Sequence, residues 1–124
     1  MVLVDTNVII EAFKGNPETI NVLGKIGEEN IAISSISEME LYIGALNKKE
    51  LNFIRDRIEK IKLIDFDKGI SRKSAELVFK FSKSHNLDIP DSIIAATCLE
   101  LGIELFTYNK KDFKYIPDLK LYKR

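Results

Sequence analysis

The 124-residue chain has one histidine, one cysteine, three prolines and six glycines, and its 19 basic residues are matched by 19 acidic ones. A single cysteine, Cys98, excludes an internal disulfide. Its place in the apolar run 93–101 reads as that of a small buried hydrophobe in a reducing compartment. A single histidine, His85, excludes a His-rich zinc site and acid–base catalysis by a pair of histidines. In the polar stretch Ser84-His85-Asn86 it reads as a solvated residue at a helix end. No Pro/Gly/Ser-rich linker, low-complexity tract or internal repeat divides the chain, so residues 1–124 are read as one domain. The opening Met1-Val2-Leu3-Val4-Asp5 has no basic flank, and its apolar run meets a carboxylate too early for a signal peptide or membrane span. A cytoplasmic protein without a membrane is expected.

What is present is a core and an uneven distribution of charge. Apolar residues make up 45% of the chain, enough for one packed domain. Zero net charge removes the simplest argument for a nucleic-acid partner. That zero is a cancellation: residues 1–47 hold seven acids and two bases, a net of −5, and residues 63–109 hold seven acids and five bases, a net of −2. Residues 48–62 (six bases, three acids) and 110–124 (six bases, two acids) compensate with +3 and +4.

Short apolar runs alternate with longer helical patterns. Residues 2–4 read as a short buried strand and 31–33, 61–66 and 105–107 as the next three strands, with 120–122 as a short fifth. Helical spacing covers 6–13, 18–26, 37–46, 51–61, 70–84 and 91–101. The third of these has Met39, Tyr42, Ile43 and Leu46 on one stripe, and Ser37-Glu38-Met39-Glu40 has the form of a capping box opening it. In the fifth, the stripe runs through Ala75, Leu77, Val78 and Phe81. Strands alternating with helices point to an α/β domain, a mostly parallel sheet covered on both faces.

In such a sheet the strand ends and the helix starts that follow them share one edge, where ligands bind at the point of strand-order reversal. Asp5 ends the first strand, Glu40 lies in the first turn after the second, Asp91 opens the last helix, and Asp112 follows the fourth strand. Each has a local explanation as a cap, a helix-dipole partner or a solvated turn residue. Four converging carboxylates repel one another unless a cation lies between them. Hard divalent cations take oxygen ligands, so a Mg²⁺ or Mn²⁺ phosphoryl-transfer site follows. Asp65 and Asp67, after the third strand, would reach the same edge, so spacing alone does not select among the acids.

The motifs do select. Val2-Leu3-Val4-Asp5-Thr6-Asn7, Ser37-Glu38-Met39-Glu40-Leu41-Tyr42-Ile43-Gly44, Pro90-Asp91-Ser92-Ile93-Ile94-Ala95-Ala96 and Thr107-Tyr108-Asn109-Lys110-Lys111-Asp112-Phe113 resemble, in order, four signatures of the PIN domain family. Among PIN domains they are most similar to VapC-type toxin ribonucleases of toxin–antitoxin pairs. One departure is Asn109, which stands where many relatives place the fourth acid; others place an acid just before the phenylalanine, which is Asp112 here.

The resemblance implies a single PIN-like domain with a five-stranded parallel sheet of order 3-2-1-4-5 and helices on both faces. Asp65 and Asp67 would then lie at the edge, away from the site. It implies a metal-dependent endoribonuclease in which Asp5, Glu40, Asp91 and Asp112 hold one or two Mg²⁺ or Mn²⁺ ions; beside them Thr6 is expected to orient Asp5 or a water, or else to cap the helix, and Asn109 to support the site by binding a water-bridged metal or by shaping the turn. It also implies an antitoxin partner and a homodimer. Lys110 and Lys111, beside the fourth motif, are the candidate contacts to RNA phosphates. Gly44 is expected either to admit another helix or simply to pack. A haloacid-dehalogenase type of phosphatase would need a second acid where the chain has Asn7, and a receiver-like phosphoacceptor domain would need an acidic pair after the first strand. A PIN domain kept for RNA binding or assembly, its metal affinity weakened by Asn109, is the remaining alternative.

Overall fold

Alternation along each strand decides what the sheet carries on its two faces. In the computed structural model, which describes residues 1–124, β1 (Val2–Val4), β2 (Ile31–Ser34), β3 (Lys62–Ile64) and β4 (Glu104–Phe106) are parallel and run in the order β3-β2-β1-β4. Val2, Val4, Ile31, Ile33 and Phe106 pack on one face with Val8, Ile9, Ile54 and Ile58. Leu3, Ala32 and Leu105 pack on the other with Ile70, Leu77, Ile94 and Ala95. Successive strand side chains point to opposite faces, so each short strand feeds two cores.

Six helices cover these faces: α1 (Thr6–Phe13), α2 (Pro17–Ile26), α3 (Ser35–Gly44), α4 (Lys48–Ile58), α5 (Lys68–His85) and α6 (Ile89–Leu101). Asp5, Asn16, Ser34, Asn47, Asp67 and Asp88 stand at their N-caps, each side chain accepting a first-turn backbone N–H. Asp67 is thereby engaged in capping α5, and Asp65 lies exposed beyond edge strand β3. In α6 every residue from Ser92 to Cys98 is buried, as an apolar helix with no polar face requires. Burial also pushes the Cys98 thiol up to about 12, so it is inert, as expected of a core cysteine.

The structure corrects five sequence expectations. The fifth strand is a single parallel bridge between Leu105 and Leu121, held by Leu105 N–H to the Lys120 carbonyl (2.9 Å) and Tyr122 N–H to the Leu105 carbonyl (2.7 Å). Past it the chain turns away, and Arg124 pairs with Glu18 at 2.9 Å and stacks over the Tyr108 ring. The third strand is only Lys62–Ile64. Helix α3 begins two residues earlier than the capping-box pattern predicts, because Ser34, ending β2 in register with Ile64, is the residue that caps it. Met39, Ile43 and Leu46 of the expected stripe are exposed, and Ser37 and Leu41 are the buried residues of α3. In α5, Ala75 is exposed, and Ile70, Ser74 and Leu77 are the buried residues. Gly44 meets no atom within 4 Å of where a Cβ would stand, so close packing does not require it.

Candidate active site

All four strands point the same way, so Val4, Ser34, Ile64 and Phe106 end on one edge of the sheet. β1 lies between β2 and β4, which makes that edge beside β1 and β4 the point of strand-order reversal. Asp5 is the first residue past β1. Its backbone N–H donates to the Phe106 carbonyl (2.9 Å), which ties it to the end of β4, and it is only 4% exposed. One carboxylate oxygen accepts from Thr6 N–H (2.8 Å) and the other from the Thr107 hydroxyl (2.7 Å). The Thr107 oxygen in turn accepts from Asn109 N–H (3.0 Å), so Asn109 shapes the turn that presents Thr107 to Asp5.

Thr6 does not orient Asp5 through its hydroxyl. Its Oγ1 lies 2.8 Å from Ser37 Oγ and 2.7 Å from Glu40 Oε1. A hydroxyl carries one proton, and a carboxylate is the stronger acceptor, so Thr6 donates to Glu40 while Ser37 donates to Thr6. Because α3 starts at Ser35, Glu40 stands in its second turn, free of the capping role and turned towards α1. Thr6→Val keeps the side-chain shape and removes this link. It is expected to lower the unfolding free energy by about 1–2 kcal/mol in urea denaturation, with Thr6→Ser retaining most of that stability.

Asp91 lies in the first turn of α6, where its backbone N–H is taken by the Asp88 cap (2.9 Å). Burial, then the charges of Asp88, Asp5, Asp112 and Glu40, push its carboxyl from 3.8 up to about 7. Asp5 is likewise raised, by burial first and by Glu40 and Asp112, against the lowering effect of its two hydrogen bonds. Asp112 is exposed in the 3-10 turn Lys110–Asp112, and its charge acts on buried Asp5 and half-buried Asp91. Lys110 and Lys111 are exposed on the same turn.

Thus Asp5, Glu40, Asp91 and Asp112 influence one another at one edge, as their strand-end positions predict. In this conformation no three of them close into a ready-made ligand cluster. Mg²⁺ requires no such cluster, since it binds through one or two carboxylates while keeping waters and substrate phosphate oxygens. An all-oxygen donor set of neighbouring carboxylates, with Asp91 pushed up to about 7 by burial first and by the other acids second, fits a hard divalent cation. The sequence alone suggests no site role for Thr107 or Asp88, and it suggests for Ser37 only a helix cap; the one signal for Thr107 is its position one residue past β4.

Residues 2–119 match the PIN domain. The chain belongs to the PIN domain family. This PIN domain is 35% identical over 95 residues to Ribonuclease VapC3 of Methanocaldococcus jannaschii, covering 76% of this chain and 94% of that protein. It is 29% identical over 124 residues to Ribonuclease VapC19 of Mycobacterium tuberculosis, covering 97% and 98%. A solved toxin–antitoxin complex from Klebsiella pneumoniae contains a chain that superposes with a TM-score of 0.81 at 31% identity over 100% of both chains. The phosphatase and receiver alternatives fall with the fold: Asn7 is exposed on α1, and β3, which would carry a phosphoacceptor Asp65, pairs with β2 at the sheet edge and not with β1. No helix of this PIN domain is long and apolar enough to cross a membrane.

Proposed function

We propose that this chain is a divalent-cation-dependent endoribonuclease and the toxin of a VapBC-type toxin–antitoxin pair. The observation that carries the reading is the placement of buried Asp5 and half-buried Asp91 at the β1–β4 edge of a chain that matches the PIN domain, where clustered carboxylates favour a cation between them. The ribonuclease names of its relatives supply the substrate class.

Asp5 and Asp91 would hold one or two Mg²⁺ or Mn²⁺ ions, with Glu40 completing the set from α3 and Asp112 from the turn after β4. The bound cation supplies Lewis-acid chemistry, easing deprotonation of a water and neutralising charge that develops on the phosphate. Thr107 and Thr6 N–H fix both oxygens of Asp5, and the Ser37–Thr6 pair fixes Glu40, so neither carboxylate has to reorganise when RNA arrives. Lys110 and Lys111 flank the turn and would draw the RNA backbone to an otherwise acidic edge. In-line attack by water leaves a 5′ phosphate and a 3′ hydroxyl.

The partners in this reading are an antitoxin and a second copy of the chain. A cleft of about 540 Å³ between α1, α3 and α4 is lined by Ile10, Phe13, Leu41, Leu46, Phe53 and Ile54, with Glu40 among its walls. An apolar antitoxin segment seated there would end at the catalytic edge, which joins binding to inhibition.

Incubation of the purified protein with RNA is expected to give cleavage in Mg²⁺ or Mn²⁺ and none in EDTA, with activity restored on adding the ion back. Cleavage that persists in EDTA would overturn the reading.

A further inference from the structure

Residues 63–109 carry a net −2, but that charge is unevenly divided. Helix α5 alone holds five bases, Lys68, Arg72, Lys73, Lys80 and Lys83, against one acid, Glu76. Lys80 pairs with Glu76 at 2.9 Å, and none of the other four bases is in a salt bridge.

Helical geometry gathers part of this charge into one stripe. At 3.6 residues per turn Lys68, Arg72, Phe79 and Lys83 fall within about 60° of one another, on the side opposite the buried Ile70, Ser74 and Leu77. All four are exposed, and Phe79, at 87%, is the most exposed large apolar side chain of the protein. Lys83 suits the negative end of the helix dipole, and Lys68 follows Asp65 and Asp67 in sequence. Neither relation accounts for Arg72, or for an aromatic ring laid bare between cations on a helix.

The stripe lies beside the candidate active site. On the inner face of α5 the Ser74 hydroxyl donates to the carbonyl of Ser92 (3.4 Å), the residue after Asp91. From that level the helix continues through Phe79 and Lys83 to His85, three residues before Asp88, whose carboxylate accepts the Asp91 N–H. Single-stranded nucleic acid is held by cations that track its phosphates and by aromatic rings on which its bases stack.

We propose that the outer face of α5 docks single-stranded RNA, with Phe79 stacking on one base, Arg72 and Lys83 contacting phosphates on either side of it, and Lys68 extending the path. A second copy of the chain suits this face less well. A two-fold contact centred on Phe79 would gather Arg72 and Lys83 of both copies, and the one acid of the helix, Glu76, is already engaged by Lys80.

RNA as the ligand rests on the ribonuclease reading, and binding measured in EDTA separates the two. The probe is a fluorescein-labelled single-stranded RNA of mixed sequence, about 16 nucleotides long, followed by anisotropy at several salt concentrations. Phe79→Ala is expected to weaken binding about tenfold, the loss of one base stack, while Phe79→Trp keeps the parent affinity. Arg72→Ala and Lys83→Ala should each reduce the slope of log K against log salt by about 0.7, one phosphate contact apiece, and Phe79→Ala should leave that slope unchanged. All three positions are exposed, so the variants should melt with the parent. In Mg²⁺ these variants should raise KM for RNA cleavage with kcat unchanged, because docking holds substrate and transition state alike. Parent affinity in Phe79→Ala with parent slopes in the two cation variants would overturn the proposal, as would a parent protein that binds no RNA at low ionic strength. A Phe79→Ala variant that keeps its RNA affinity but sediments as a monomer where the parent is a dimer would assign the face to a second copy and overturn it as well. If the parent binds RNA in EDTA with the expected losses in the variants yet cuts none in Mg²⁺, the ribonuclease reading fails and the docking face stands.

Discussion

Asp5→Asn is expected to reduce RNA cleavage in Mg²⁺ or Mn²⁺ to the level seen in EDTA, a loss of at least about a thousandfold. The magnitude follows from what a bound cation supplies: several kcal/mol of transition-state stabilisation, of which about 4 kcal/mol corresponds to a thousandfold in rate. Asn has nearly the shape of Asp and can keep the hydrogen bond from Thr6 N–H on its carbonyl oxygen. Its amide then faces Thr107, whose hydroxyl can rotate to accept. The fold should therefore survive, and circular dichroism melting should place the variant within a few degrees of the parent. Loss of cleavage with an intact melt separates removal of a ligand from unfolding. Retention of more than about a tenth of the parent rate would remove Asp5 from the centre of the site.

The second large effect is an inversion between stability and activity at Asp91. Its carboxyl is raised from 3.8 to about 7 by burial and then by Asp88, Asp5, Asp112 and Glu40. A raised carboxyl means that the folded chain binds the proton more tightly than the unfolded one. Its contribution to stability is fully present below pH 3.8 and is lost as pH rises to about 7. Above that, the metal-free protein carries an ionised Asp91 at a cost. Since Asp91 is only half-buried and partly screened by solvent, that cost is about 1 kcal/mol, or roughly 3–5 °C in Tm for a domain of this size. Asp91→Asn should thus raise the Tm of the metal-free protein at pH 8 and change it little at pH 4, while RNA cleavage falls at least about a hundredfold through loss of a metal ligand. Adding Mn²⁺ at pH 8 should raise the Tm of the parent and leave the variant nearly unchanged, because a ligand stabilises only the state that binds it. A variant that melts lower than the parent at pH 8 in EDTA would show that Asp91 is not strained by its neighbours.

Much of the scaffold can be read locally. Val2-Leu3-Val4 and Ile31-Ala32-Ile33 alternate with the period of a pleated strand, and the two faces they feed are the two cores observed. Gly27 and Gly102 end α2 and α6 with positive φ, as the sequence expects of glycine after a helix. The start of α3 was less legible because Ser34, Ser35 and Ser37 offer three caps of equal chemistry. Only the pairing of β2 with β3 decides that Ser34 ends a strand and caps the helix. With the cap at Ser34, Glu40 is free of a capping role and available to the site, while Ser37 is buried inside the helix. The fifth strand failed for a related reason. The triplet Lys120-Leu121-Tyr122 has strand propensity, but the length of a strand is set by how long a neighbour runs beside it, and here the chain meets β4 at one residue before Arg124 is drawn to Glu18 and Tyr108.

The edge shared by Asp5, Glu40, Asp91 and Asp112 was legible in the sequence alone, because a residue's place at the end of a strand or in the first turns of a helix follows from local pattern and parallel strands align those places; only the family motifs set these four apart from Asp65 and Asp67. Tertiary structure alone decided how these acids behave. Thr107 reaches Asp5 across 102 residues, and Thr6 reaches Glu40 across 34. Hydrogen bonds between remote residues have no local pattern, and the burial that raises Asp91 is a property of everything packed around it.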